Sequence, residues 1–151
     1  MSNSELGRTG QAPESESTIC VFCEIIAGET QRIIVAETDT CVSFVSLEGH
    51  PLVVPKKHIG EIPSTEAEIQ TLADTASFAV RLIPVVQRVW KASGVNILIN
   101  LGQDAGQEVM HAHFHVIPRA QGDGKIKVFL ERLPDEELDR LAKVFKSEIK
   151  V

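Results

Sequence analysis

Apolar positions in this chain fall into short alternating runs, one long helical stretch and a helical tail. Over 111–117, His111-Ala112-His113-Phe114-His115-Val116-Ile117, imidazoles alternate with apolar side chains. Period two is the strand pattern, so the three histidines project from one face. Ala112, Phe114 and Val116 project from the other, which suits a core. The strand predicted here covers 109–117 and is ended by Pro118. Upstream, 32–37 and 40–45 read as a hairpin turning at Thr38-Asp39, and 50–55 as a third strand stopped by Pro55. Positions 96–100 predict a fourth strand, and 102–106 a turn-rich loop.

Helical spacing dominates 65–92, where Ile69, Leu72, Ala73, Ala76, Val80, Ile83 and Val86 recur on one side. Thr65 followed by Glu68 fits a capping box at its start. Pro84 predicts a kink and Gly94 a stop. Residues 20–28 read as a tight turn into a short helix stopped by Gly28. Pro134, at a first helical position, opens a last helix with Leu138, Leu141, Val144 or Phe145, and Ile149 as its stripe. Positions 125–130 form a further strand or an arm. Strands and helices do not alternate regularly, so the fold class is α+β: a five-stranded antiparallel sheet with one long helix and a C-terminal helix.

At 151 residues and 43% hydrophobic, the chain supports one sizeable core. The first 17 residues are polar and read as a disordered leader, with a single domain over 18–151. They lack the apolar run of a secretory signal. Fifteen basic against 21 acidic residues give a net charge of −6. Such an acidic chain is a poor candidate for sequence-independent binding of polymeric nucleic acid, which needs a basic face, though a local basic spot could still bind a nucleotide. No apolar run approaches the roughly 18 residues of a membrane span. Three cysteines, two spaced C-x-x-C, make no disulfide framework, and a cytoplasmic location is expected.

A row of imidazoles on one strand face could ligate a metal, attack phosphorus or donate to an anion. Cys20 and Cys23 can reach one cation together. With His58 and His111 they would complete a tetrahedral, structural zinc site. The same residues read equally well as reduced core cysteines and a solvated turn histidine. Cys41 reads as a buried thiol, Trp90 as core or interface, and Lys56 and Lys57 as a solvated turn.

The segment 106–119, from Gly106-Gln107-Glu108 through the histidine row to Pro118-Arg119, resembles the signature of the histidine triad (HIT) superfamily of nucleotide hydrolases and transferases. Residues 20–29 resemble the opening of its bacterial zinc-containing members. Residues 49–58 resemble their third-strand motif, and 96–100 the strand before the triad. Four linked motifs are far more specific than the row alone. The resemblance implies His113 as nucleophile, His115 as the histidine on the phosphate, and His50 as the fourth histidine of the site. It implies Asn100, Gln107 and the Gly106 loop as the groups holding nucleotide and phosphate. It also favours the zinc reading and a homodimer with two sheets joined into one of ten strands.

Two departures stand out. Ser46 occupies the place where the family often has an Asp that binds ribose, and the link from Phe44 to His50 is several residues shorter than usual. Glu108 stands where some branches carry Ser or Thr, which puts a carboxylate beside a phosphate. The activity implied is cleavage of a phosphoramidate or phosphoanhydride at the alpha-phosphorus of a nucleotide, through a covalent histidine intermediate. The alternative is a nucleotide-binding zinc protein with little turnover. An all-histidine catalytic metal centre ranks lower, because it would silence His113 as a nucleophile.

Overall fold

The computed structural model describes residues 19–127 and 130–150. The leader expected at 1–17 lies outside them. The chain divides into two compact units, one ending at Gln121 and the other beginning at Gly122.

In the first unit, α1 (Val21–Ala27) precedes strands β1 (Ile34–Glu37), β2 (Cys41–Val45) and β3 (Pro51–Pro55). Helices α2 (Glu66–Arg81) and α3 (Ile83–Trp90) follow, then β4 (Gly94–Ile99) and β5 (Phe114–Arg119). The five strands form one antiparallel sheet in the order β1-β2-β3-β5-β4. β5 therefore lies between β3 and β4, which brings the histidine row beside His50.

Both faces of the sheet are covered. In β2, four successive residues are buried, so the strand serves two cores. On one face Cys41, Val53, Phe114 and Val116 pack with Leu72, Ala79 and Val86 of α2 and α3. On the other, Val42, Phe44, Leu52 and Val54 pack with Phe22 and Ile25 of α1. The register Val42↔Val54 and Phe44↔Leu52 places the second set side by side. A bulge at Val35 interrupts the pairing of β1.

The long helix is two helices rather than one kinked rod. α2 starts with the expected Thr65–Glu68 capping box and ends at Leu82, with Pro84 in the first turn of α3. Proline is tolerated there because that N–H has no helical partner. α3 ends earlier than expected: Lys91 adopts left-handed backbone at φ 52°, and Gly94 begins β4 instead of stopping the helix. Together α2 and α3 match a membrane span by length and composition. Their stripe of Leu72, Thr75, Ala79 and Val86 is instead buried within the unit.

β5 also departs from expectation. It begins at Phe114 and continues through Pro118 to Arg119, so residues 109–113 are not strand. Pro118 sits opposite Val95 of β4, beyond the stretch paired with β3, where a missing N–H does not interrupt a central ladder. His111 and His113 thus precede the strand, on a segment tied to the stretch after β3 by Ala112 N–H donating to the Ile59 carbonyl at 2.6 Å.

In the second unit, α4 (Asp135–Glu148) starts one residue after Pro134, which is the cap rather than the first helical residue. Three acidic residues fill its first turn, as the helix dipole favours. Positions 125–127 and 130 carry no regular structure, and the two between lie outside the described residues.

Candidate active site and metal centre

His111 is fully buried. Its Nε2 lies 2.8 Å from the Pro55 carbonyl. A carbonyl only accepts, so Nε2 carries the proton and the Nδ1 lone pair points the other way. There it meets Cys20 Sγ at 3.4 Å, Cys23 Sγ at 3.5 Å and His58 Nδ1 at 3.2 Å. Cys23 Sγ lies 3.4 Å from His58 Nδ1. All four ligand atoms fall within 4.8 Å of one another.

These separations fit a tetrahedral cation. Zinc bonds of ~2.0 Å to nitrogen and ~2.3 Å to sulfur predict edges of about 3.3 Å between nitrogens and about 3.6 Å between nitrogen and sulfur. Without a cation the arrangement is unfavourable. Burial and the neighbouring Cys20 push the Cys23 thiol up to about 11, whereas a bound metal needs the thiolate. Two cysteines, one imidazole fixed by a carbonyl and a second imidazole from the turn after Pro55 are a zinc donor set. They are the residues the sequence brought forward. Cys20 also caps α1, accepting from Cys23 N–H, so helix start and ligand pair form together.

His113 lies alongside. Its Nδ1 is 2.7 Å from the His111 carbonyl. The same logic puts the proton on Nδ1 and leaves the Nε2 lone pair for chemistry. Burial lowers its pKa, against the opposing pull of the His111 carbonyl and of Glu108. Phe22 stands edge-on to the His113 ring, with centroids 5.0 Å apart, and also touches His111. That Phe22, one of the two residues between the cysteines, would stand against the His113 ring has no local signal in the sequence.

His115 is next, its ring 4.9 Å from that of His113. Its Nδ1 pairs with His50 Nε2 at 2.9 Å. Burial first, then His113 and His50, hold its pKa down to about 4, with Glu48 pulling the other way. His50 is presented by a tight turn. Ser46 N–H donates to the His50 carbonyl at 2.8 Å, and His50 N–H donates to Ser46 Oγ at 3.2 Å. Gly49 occupies φ 89°, and Trp90 Nε1–H donates to its carbonyl at 3.1 Å. A Cβ at Gly49 would sit 2.8 Å from the indole ring. Trp90 is therefore the pin of this turn, and Ser46 closes it.

The groups expected to hold nucleotide and phosphate make hydrogen bonds within the protein. Gln107 is buried, and both of its amide N–H groups are engaged, with the Gly60 and Val109 carbonyls at 2.6 and 3.0 Å. Its oxygen accepts from Gly102 N–H at 2.8 Å. Gly106 N–H donates to Gln103 and Ala105 N–H to Gly102. Asn100 Nδ2 donates to the Gly106 carbonyl at 3.3 Å. The Gly102–Gln107 loop is thus self-bonded, and Gln107 clips it to the segment carrying His58. The lysines of the turn after Pro55 are also engaged: Lys56 pairs with Glu37 at 2.6 Å, and Lys57 acts on Glu68. A cavity of about 340 Å³ opens beside the metal-ligand group, lined by Ile19, Val21, His58, Glu108 and Met110 among others.

The comparisons with known proteins agree with this geometry. The HIT domain profile matches residues 27–122. An uncharacterised HIT-like protein of Methanocaldococcus jannaschii is 37% identical over 135 residues, covering 85% of this chain and 99% of its own. An adenosine 5'-monophosphoramidase of Schizosaccharomyces pombe is 33% identical over 140 residues, covering 87% and 98%. The crystal structure of a zinc-bound histidine triad family protein from Mycobacterium smegmatis superposes with a TM-score of 0.63 at 34% identity, over 85% of this chain and 97% of that one. Sheet order, histidine row and sequence likeness converge, and the chain belongs to the HIT domain family.

Proposed function

We propose that the chain cleaves a phosphoramidate or phosphoanhydride at the alpha-phosphorus of a nucleotide, with His113 as nucleophile. One observation carries the reading: the His111 carbonyl fixes the proton on His113 Nδ1, so Nε2 presents a neutral lone pair. That nitrogen forms a bond to phosphorus, and the leaving group departs with the electron pair of the broken bond. Water then attacks the phosphohistidine, releasing the nucleotide and restoring the imidazole. Splitting one displacement into two is the benefit of a covalent nucleophile.

His115 serves as donor to the phosphate oxygens. For that role its Nε2 must bear the proton, which requires His50 Nε2–H to donate to His115 Nδ1. The 2.9 Å separation of the two nitrogens supports that reading. Cys20, Cys23, His58 and His111 hold zinc as a structural ion that ties the start of the domain to the segment carrying His113. A homodimer belongs to the same reading.

The test is His113→Ala. Turnover of adenosine 5'-phosphoramidate should vanish, together with any adduct trapped from labelled substrate in the wild type. Persistent turnover in the variant would reject His113 as nucleophile.

The self-bonded Gly102–Gln107 loop favours a second reading, nucleotide binding with little turnover. Donors aimed at developing charge are worth on the order of 3 kcal/mol each, and here the loop amides and Gln107 are occupied. Calorimetric binding of adenosine and guanosine monophosphates, with no hydrolysis of any phosphoramidate or dinucleoside polyphosphate, would select it.

A further inference from the structure

Gly49 and His50 share one peptide unit, and both of its polar groups are held. The Gly49 carbonyl accepts from Trp90 Nε1–H at 3.1 Å, and the His50 N–H donates to Ser46 Oγ at 3.2 Å. A peptide unit is planar, so anchors on its two polar groups fix its orientation, and with it the direction in which His50 leaves the backbone. Gly49 gives the turn its φ of 89°, and the Trp90 ring lies so close that a Cβ there would meet it at 2.8 Å. The outer anchor is itself tied down. Trp90 ends α3, whose Val86 is buried in the core with Val53, Phe114 and Val116. On the inner side the His50 carbonyl accepts from Ser46 N–H at 2.8 Å, and Val45 pairs with Pro51 in the sheet. The buried His50 ring then meets His115, with Nε2 2.9 Å from His115 Nδ1 and ring centroids 5.2 Å apart. A continuous set of contacts runs from the helix core through the indole and one peptide unit to His115.

We propose that Trp90 is a positioning residue for this site: its N–H and ring set the His50 backbone so that His50 meets His115 Nδ1 and the His115 Nε2 proton is left for substrate. The proposal rests on the nucleotidyl-transfer reading, in which His115 donates to phosphate. Trp90 acts through the backbone rather than on the reacting atoms. Glycine leaves its neighbouring peptide units many accessible orientations. Removing one of the two anchors therefore lets the Gly49–His50 unit rotate and carries His50 away from His115. A misplacement on the order of 1 Å can cost up to about 100-fold in rate, so losing one anchor of two should cost about tenfold.

The test removes the indole N–H in two ways: Trp90→Phe, and replacement of Trp90 by its sulfur isostere 3-benzothienylalanine, which keeps the size of the ring. Val89→Ala, which trims the same helix and leaves the indole in place, is the control. With adenosine 5'-phosphoramidate, both Trp90 replacements should lower kcat about tenfold and change KM by less than about threefold, while Val89→Ala changes neither. In a His50→Ala background Trp90→Phe should have no further effect, because its action runs through His50. Heteronuclear NMR of the imidazole nitrogens reads the geometry without turnover. The His115 Nδ1 resonance and the cross-relaxation between the two rings should change in both Trp90 replacements and stay unchanged in Val89→Ala. An additive loss in the His50→Ala background, or His115 signals unmoved by the sulfur isostere, would overturn the positioning role, whatever the replacements do to stability. If the wild type cleaves no nucleotide but the His115 signals move as stated, the positioning stands and the catalytic reading falls.

Discussion

Protonation state is decided here residue by residue, through the partner each imidazole faces. His111 and His113 each give one N–H to a backbone carbonyl, so each has one defined lone pair. His115 has no such carbonyl and pairs with His50 instead. Because burial and two like-charged neighbours hold its pKa near 4, it stays neutral well below the ordinary imidazole value of 6.5. The sign follows from linkage. The unfolded chain takes up this proton at about 6.5 and the folded chain only near 4, so His115 lowers stability as pH falls through that window and does nothing above it. An NMR titration of the His115 ring should give a midpoint near 4 in wild type, lower still in Glu48→Gln. A midpoint at or above 6.5 would contradict the buried pairing.

At the scale of elements, period-two and period-3.6 patterns located all five strands and the helical segments. The parity of the histidine row also put Ala112, Phe114 and Val116 in the core, as found. The errors lie at boundaries where another interaction decides. Proline 84 starts α3 instead of bending one helix, and Lys91 in left-handed backbone ends it before the glycine signal. The 109–113 segment alternates like a strand but is held by Gln107, Ile59 and the metal-ligand group rather than by a ladder. The grouping of Cys20, Cys23, His58 and His111 was one of two even readings from donor chemistry, favoured by the family resemblance, and the four ligand atoms do meet. The consumption of Gln107 and the loop amides was not, because hydrogen-bond partners 47 residues apart leave no local trace. The Trp90–Gly49 clasp was equally invisible, because its partners lie 41 residues apart. Gly49→Ala should destabilise the fold by about 1–3 kcal/mol through strained backbone and the clash with the indole. Trp90→Phe, which removes the N–H donor and shortens the ring that backs Gly49, should cost at least about 1 kcal/mol. Denaturant midpoints measure both, and an unchanged midpoint for Gly49→Ala would show that the turn is not pinned.

Across the whole molecule, the metal-ligand group joins parts far apart in sequence: α1 through Cys20 and Cys23, the turn after β3 through His58, and the approach to β5 through His111. α1 is only seven residues long and cannot hold itself together as an isolated helix. It stays in place through the ligand pair at its start and through Phe22 and Ile25 against the sheet. Phe22 in turn wedges His113. Structural integrity of the Cys20, Cys23, His58 and His111 group and orientation of the His113 ring are therefore coupled through one phenyl ring. Two consequences can be measured on the protein as purified. Elemental analysis should find one zinc per chain, and Cys23→Ser should lose it. Removing the metal with a chelator should lower Tm on the order of 10 °C, since a ligand bound only by the folded state stabilises in proportion to its binding free energy. Turnover should fall with it and return on adding zinc, while Phe22→Leu, which keeps the four ligands, should reduce turnover with the zinc content intact. A chain that carries no zinc and whose Tm ignores the chelator would refute the coupling, and the 3.2 Å approach of His58 and His111 would then need a proton between them.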